Sequence, residues 1–412
     1  MLARRLALAA FAIAVVGLSA CGAGAPSTEA TGTQLTVYSS LPLDGPTAAT
    51  SRQIVNGEKL ALSQAGGHAG PFKVSFTSLD DASPKTGQWN PGESATDAKQ
   101  AAQDTSTIAY LGDYNSAATA ISLPLINGAG ILQISPSSPY VGLTSSLDAG
   151  ADEPARFYLT GKRNFARLQP GDPVQAVAQV KLMHSLGVHR LFVIDDQNAF
   201  EMPLASIVAA DAKNAGIDVV AHDSIQVEPG SNFTGEVQKV SRLHAAAVFL
   251  AAGPGAGTVA LWRMLHQADP DLLLLGTSSM DNASFTSQIG AAETQTYLTT
   301  PLLPTRLYPT AAQRVLSAYR STFGSAGEAE ALYGYEAMSL VLDAIRASGS
   351  RGNNRQAVIA KVLSTRNRDS VLGRYSIEPN GETTLSAYAV DRVREGQPVF
   401  VRAIDTNQIG GG

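Results

Sequence analysis

Cysteine is almost absent from the 412 residues, with Cys21 the single example. No disulfide can therefore close within the chain, and no cysteine cluster can hold a metal. The six histidines are scattered, and none falls in a metal-ligand spacing such as H-E-x-x-H. Catalytic signatures are missing as well: there is no G-x-S-x-G elbow, and no nucleophile is paired with a base. The glycine-rich run Gly253-Pro254-Gly255-Ala256-Gly257-Thr258 follows a strand-like segment and opens a helix-like one. It lacks the lysine of a phosphate loop and the G-x-G-x-x-G order, so a nucleotide reading fails. Charged residues make up only 16% of the chain, its net charge is −5, and no basic stripe interrupts it. Nucleic acid is thereby argued against as a partner.

What is present begins with an export leader. Arg4 and Arg5 precede the apolar run Leu6 to Val16, which is too short to span a bilayer. Its exit, Leu18-Ser19-Ala20-Cys21, resembles a bacterial lipobox, which implies cleavage before Cys21 and lipidation of that thiol. Residues Gly22 to Thr33 are small, polar and Pro/Gly-containing, as in a flexible tether. The folded part is expected outside the cytoplasm, anchored to the membrane at Cys21. Lipoprotein processing would supply the additional acyl chains that stable anchoring needs.

From Leu35 onward the chain repeats strand, polar turn, helix. Thr107 to Leu111 ends at Gly112-Asp113-Tyr114-Asn115-Ser116, Ala117 to Leu125 can coil, and Ile131 to Ile134 ends at Ser135-Pro136-Ser137-Ser138. This is the unit of a parallel sheet, whose ligands sit beyond the carboxyl ends of its strands. A helix N-terminus carries unpaired N–H groups, so Asn115 and Ser116, with Ser137 and Ser138, are candidate holders of a carboxylate. The same serines also suit plain caps and turns.

A second unit of similar size runs from Asp172 to Thr277, with strands at Arg190–Ile194, Ala245–Ala252 and Leu272–Leu275. The short run Arg156 to Leu159 reads as a further strand. Helices at Ala311–Thr322, Glu330–Ala347 and Arg355–Ser364 follow, then strands about Asn380-Gly381, a hairpin signal. The loop Ser83 to Glu93, carrying an exposed-looking Trp89, reads as a lid or an insertion. The fold class is α/β: two Rossmann-like lobes with a cleft between them and several crossovers. The first lobe is expected over residues 35–159 and 302–366, the second over 160–301 and 367–408.

In order and spacing, PLDGPTAA at Pro42, LDDA at Leu79, GDYNSAATA at Gly112, GILQISPSS at Gly130, DDQNAFEMPLA at Asp195, GTSSMDNASF at Gly276 and EPNGETTL at Glu378 carry a family resemblance. From about Leu35 to Ile404 the chain resembles the periplasmic branched-chain amino-acid-binding proteins of ABC importers, the type I periplasmic binding fold. The resemblance implies a monomer that binds a small-molecule solute without cofactor or metal and delivers it to a membrane permease. It also implies that Ser116, Ser137 and Ser138 hold an α-carboxylate, that Phe200 caps the solute, and that Tyr333 lines the first lobe's side. The family's acid for the ligand ammonium falls on Ser278, which offers no charge; Asp281, three residues on, is a substitute if its loop bends inward. Thr50 and Gly253-Pro254 fall where relatives place aromatics, and Pro139 replaces a frequent hydroxyl residue. The pocket is thus expected to be roomier, or its solute not an α-amino acid. A ligand-sensing module of the same fold is the rival reading, with an enzyme behind it.

Overall fold

A computed structural model describes residues 28–407, so the expected lipid site Cys21 lies outside the described residues. The chain starts with β1 (Gln34–Leu41), α1 (Ala48–Gln64), β2 (His68–Ala69), β3 (Phe72–Asp80), α2 (Pro91–Gln103), β4 (Thr107–Leu111), α3 (Ser116–Gly128), β5 (Leu132–Ser135) and β6 (Phe165–Arg167). These strands form one sheet in the order β2-β3-β1-β4-β5-β6, parallel except for β2. Every residue of β4 and β5 is buried. That is why they read as continuous apolar runs: both faces are covered by helices.

The chain then crosses to a second sheet. It contributes α4 (Asp172–Ser185), β7 (Arg190–Asp195), α5 (Met202–Asn214), β8 (Asp218–Ser224), α6 (Thr234–Arg242), β9 (Ala247–Ala251), α7 (Ala256–Ala268), β10 (Leu273–Gly276), α8 (Ala283–Thr286) and β11 (Thr296–Thr300). A return to the first lobe adds α9 (Thr310–Phe323), α10 (Ala329–Ala347), α11 (Arg355–Leu363) and the pair β12 (Arg368–Ser370) and β13 (Gly373–Tyr375). A last crossing supplies β14 (Ala387–Arg394) and β15 (Gln397–Asp405), completing the order β15-β14-β11-β10-β9-β7-β8.

Three expectations need correction. Arg156 to Leu159 is not a strand; a 3-10 turn occupies Ala155–Phe157, and the strand beside β5 is β6. The first lobe therefore extends past residue 159 to Arg167. Residues 367–377 also belong to it: Val371, Leu372, Tyr375 and Ile377 join its core, and the Tyr375 hydroxyl donates to Glu336 Oε1 on α10 at 2.7 Å. The Asn380-Gly381 turn does form, with Ile377 bridged to Thr383, but its two arms serve different sheets. It sits at the last crossing. Gly381 has φ 97°, and a Cβ there would meet the Phe165 carbonyl at 2.2 Å, so only glycine lets this turn lie against β6.

The expected lid is tied down. Trp89 is half-buried, its indole N–H donates to Ser94 Oγ at 2.7 Å, and its backbone bridges Ala82. Helix α2 starts inside the segment read as that loop because Asn90 caps it, accepting from the Gly92 and Glu93 N–H groups, with Pro91 at the first helical position.

Helices α1 and α10 pack backbone to backbone. A Cβ at Gly57 would stand 2.0 Å from the Ala331 carbonyl oxygen, and one at Gly334 would stand 2.0 Å from that of Ile54. Gly334→Ala is expected to lower stability by about 1–3 kcal/mol through overpacking. A urea unfolding curve checks this; an unchanged midpoint would mean the helices can separate at no cost.

Candidate functional site

The carboxyl ends of β1, β3, β4 and β5 form one polar edge of the first sheet, and those of β7, β9, β10 and β11 form another on the second. Between them lies the cleft that a doubly wound topology assigns to ligands. The edges touch where Tyr140, following β5, meets Phe200, following β7. Their rings pack edge to face, with centroids 5.0 Å apart and planes at 79°.

At the first lobe's edge, α3 points its N-terminus outward from β4. The Asn115 side chain accepts from the Ala118 N–H at 2.9 Å, and its carbonyl accepts from the Thr119 N–H at 3.1 Å. That leaves the N–H groups of Ser116 and Ala117 for a bound anion. Ser116 Oγ accepts from the Tyr140 N–H at 3.2 Å, which joins this turn to the aromatic contact.

The serines after β5 play a different part from the one expected. Ser137 donates its hydroxyl to the Tyr114 carbonyl at 2.6 Å. Ser138 is fully buried and bonds to Thr119 Oγ1 at 2.8 Å and to the Asp113 carbonyl at 3.2 Å. Ser135, likewise, donates to the Asp113 carbonyl at 2.8 Å. These hydroxyls stitch the two turns together, so the donors expected of Ser137 and Ser138 are spent inside the fold. Tyr333 is buried on the first lobe's side, where its hydroxyl donates to the Pro301 carbonyl at the crossing, 3.3 Å away, and its ring lines a small cavity with Leu303 and Tyr308.

Gly253 lies at the second lobe's edge, donating its N–H to Asp196 Oδ2 at 3.1 Å, and a Cβ there would meet nothing within 4 Å. Ser278 opens the 3-10 turn Ser278–Met280 and is half-buried. Asp281 ends that turn, also half-buried, with its carboxyl against that of Asp391 on β14. Glu330, from the first turn of α10 in the opposite lobe, acts on Asp281 across the cleft. On the other side, burial pushes the Glu201 carboxyl up to about 8, with Asp172 and Asp196 adding to it. Burial also lifts Asp172 to about 7, against the pull of Arg167.

Behind the turns, Arg167 is fully buried. Its Nε donates to Glu382 Oε2 at 2.9 Å, and one terminal nitrogen donates to the Ser138 and Tyr140 carbonyls at 2.9 and 2.8 Å. Sequence reasoning missed Tyr140, Glu201, Glu330, Asp391 and the Arg167–Glu382 pair. Of these, Glu201 and Glu382 stood within singled-out strings, DDQNAFEMPLA and EPNGETTL. A groove of about 750 Å³ on the outside of the first lobe, between α1, α9, α10 and β12–β13, holds none of these residues. Its Arg368 is already paired with Glu336 and Asp343.

A cluster of buried acids, Asp81, Asp97 and Asp113, stands at the first edge. Burial raises Asp81 to about 8, Asp113 to about 7 and Asp97 to about 6. Folding therefore retains protons that the unfolded chain releases above the ordinary carboxylate range. This stabilisation is whole in acid and is lost as pH rises through those values. The urea midpoint is expected to fall between about pH 5 and pH 8, and Asp81→Asn to flatten that slope. A midpoint that rises across the window would contradict this.

Comparison with known proteins places these features. A family model described as periplasmic binding protein matches residues 37–398. No curated protein matches the chain in sequence. Among solved structures, a leucine-binding protein from Thermotoga maritima is similar at 20% identity and TM-score 0.73, over 90% of this chain and 99% of that one. A solute-binding protein from R. palustris in complex with benzoate is similar at 17% identity and TM-score 0.68, over 90% and 96%. A branched-chain amino acid transporter substrate-binding protein from Streptococcus pneumoniae, in complex with isoleucine, is similar at 17% identity and TM-score 0.67, over 89% and 100%.

Proposed function

The chain belongs to the periplasmic binding protein family, and from that premise we propose that it is the lipid-anchored receptor of an ABC importer. It captures a small, polar, carboxylate-bearing solute between its lobes and delivers it to a membrane permease. The observation that carries this reading is the pairing of an outward-pointing helix N-terminus at Ser116 with the Phe200 ring on the facing edge. Backbone N–H groups and the helix dipole suit a carboxylate, while an aromatic ring covers an apolar part. Contacts from both lobes exist together only when the cleft is closed, so the solute shifts the population toward that state.

The relatives named above are described with leucine, isoleucine and benzoate, which share a carboxylate beside an apolar body. The open space beside Gly253 supports a pocket with room for a body of that kind. Cys21 is the residue that would carry the lipid.

A thermal-shift screen of the mature chain against amino acids and amine-free carboxylates tests the reading. A compound at a hundred times its dissociation constant adds about 2.7 kcal/mol of stability. Ser116→Ala is expected to weaken binding of the strongest hit by about 1–3 kcal/mol with the fold intact. Unchanged affinity would remove Ser116 from the site, and no shift with any compound would sink the receptor reading. Cys21→Ser is expected to release the protein from the membrane fraction to the soluble one; retention would point to another anchor.

A further inference from the structure

Residues 28–33 of the expected flexible tether are instead strapped to the first lobe. Glu29 bridges Asn354, the Ala30 N–H donates to the Asn353 carbonyl at 2.8 Å, and the Arg355 N–H donates to the Thr28 carbonyl at 2.8 Å. Farther on, the Thr31 N–H donates to the Thr105 carbonyl and the Lys73 N–H to the Thr33 carbonyl, both at 3.0 Å. Ala30 is 1% exposed and joins the first lobe's core. Detaching the strap would leave these backbone groups unpaired and open the core, so it belongs to the fold.

The strap lies at the end of the lobe away from the cleft. Strands β1, β3, β4, β5 and β6 run parallel, so their amino ends all face that way. Arg355 fixes the strap's partners there, donating to the carbonyls of Thr107 at the start of β4 and of Ala129 after α3, at 2.9 and 3.2 Å. Between Cys21 and Thr28 the chain spans about 25 Å even at full stretch. A lipid on Cys21 therefore keeps this end, rather than the cleft edge, close to the bilayer.

The surface presented there is cationic, on a chain of net charge −5. Lys73 stands at the start of β3, Lys162 just before β6, and Arg351 in the turn between α10 and the strap's partners; all three are exposed. None of them takes part in an ion pair among the described residues. From β3 to β6 the row crosses four strand spacings, about 19 Å. Leu159, close in sequence to Lys162, is 67% exposed, and the Thr160 N–H beside it donates to Asn127 Oδ1 near the end of α3 at 2.9 Å. Two carboxylates share this end: Glu29 on the strap, and Asp104, which accepts from the Tyr38 hydroxyl and the Ser106 N–H, each at 2.9 Å.

We propose that this end of the first lobe is a membrane-facing surface, on which Lys73, Lys162 and Arg351 meet anionic lipid headgroups and Leu159 enters the headgroup boundary. This rests on the anchored-receptor reading and says how the receptor stands. Each cation near an anionic bilayer strengthens attachment about fivefold, and an apolar side chain among cations adds to it. Such a contact is weak for a free protein, but a short tether raises the effective concentration of the surface. The strap's partners named above all belong to the first lobe, which leaves the second free to move when the cleft closes.

The test is hydrogen exchange, read by mass spectrometry, of the mature chain with its Cys21 thiol coupled to a maleimide lipid. One set of vesicles is phosphatidylglycerol and phosphatidylcholine in equal parts, and the other is phosphatidylcholine alone. Segments around Lys73, Leu159 and Arg351 are expected to exchange more slowly on the anionic vesicles, while the second-lobe segment around Lys213 exchanges alike on both. The difference is expected to be lost at high salt, which screens surface charge, and in the combined variant Lys73→Gln, Lys162→Gln, Arg351→Gln. Melting curves show whether that variant is folded; the salt arm uses the unaltered chain and decides the matter if it is not. Equal exchange on the two vesicles, or a difference that survives high salt, would overturn the surface. Because the coupling is chemical, neither result touches the anchor itself, which the Cys21→Ser fractionation decides.

Discussion

The Arg167 guanidinium is the constraint that the rest of the site depends on. A fully buried cation is tolerable only if its charge is met and its N–H groups are all used. Glu382 supplies the charge, and although burial alone would raise that carboxyl, Arg167 holds it below the usual carboxylate range. The Ser138 and Tyr140 carbonyls and Thr144 Oγ1, the last at 2.9 Å, take the remaining donors. One side chain thus ties the end of β6, the turn after β5 and the turn of the last crossing. Breaking such a pair by removing one partner typically costs about 3–5 kcal/mol, because a charge is left buried alone. The last crossing and the turns at the first lobe's edge are consequently one network.

Around that cation the cleft is acidic. Asp172 and Glu201 lie on the Phe200 side, and Asp281, Asp391 and Glu330 lie near the Thr300–Pro301 crossing. Burial has raised every one of them above the usual carboxylate range. At the Ser116 turn the polarity reverses, since the helix N-terminus there presents N–H groups and partial positive charge.

Much of this fold was legible in the sequence, because the strand–turn–helix rhythm is local. Buried runs such as TIAYL on β4 and AVFLA on β9, each followed by a polar turn, place the cleft edge without any knowledge of tertiary contacts. The lobe boundaries were not legible. β6 is three residues long, and β12 and β13 are as short, too brief for periodicity to assign them to a sheet. The serines after β5 were read as donors to a solute because a hydroxyl's partner cannot be told from spacing; Ser137 and Ser138 found theirs in the adjacent turn. Asp391 reads as an ordinary polar residue in the strand AYAVDRVR, and only the β11–β14 pairing brings it to Asp281. Asp281 itself was visible, through its place after Ser278.

Closure of two lobes about the Arg167 network is the central physical claim. Small-angle X-ray scattering of the mature chain, alone and saturated with its tightest-binding compound, tests it most directly. A solute gripped from Ser116 on one edge and from the facing lobe on the other predicts a smaller radius of gyration in the complex. A radius that stays the same while calorimetry shows the compound bound would contradict closure.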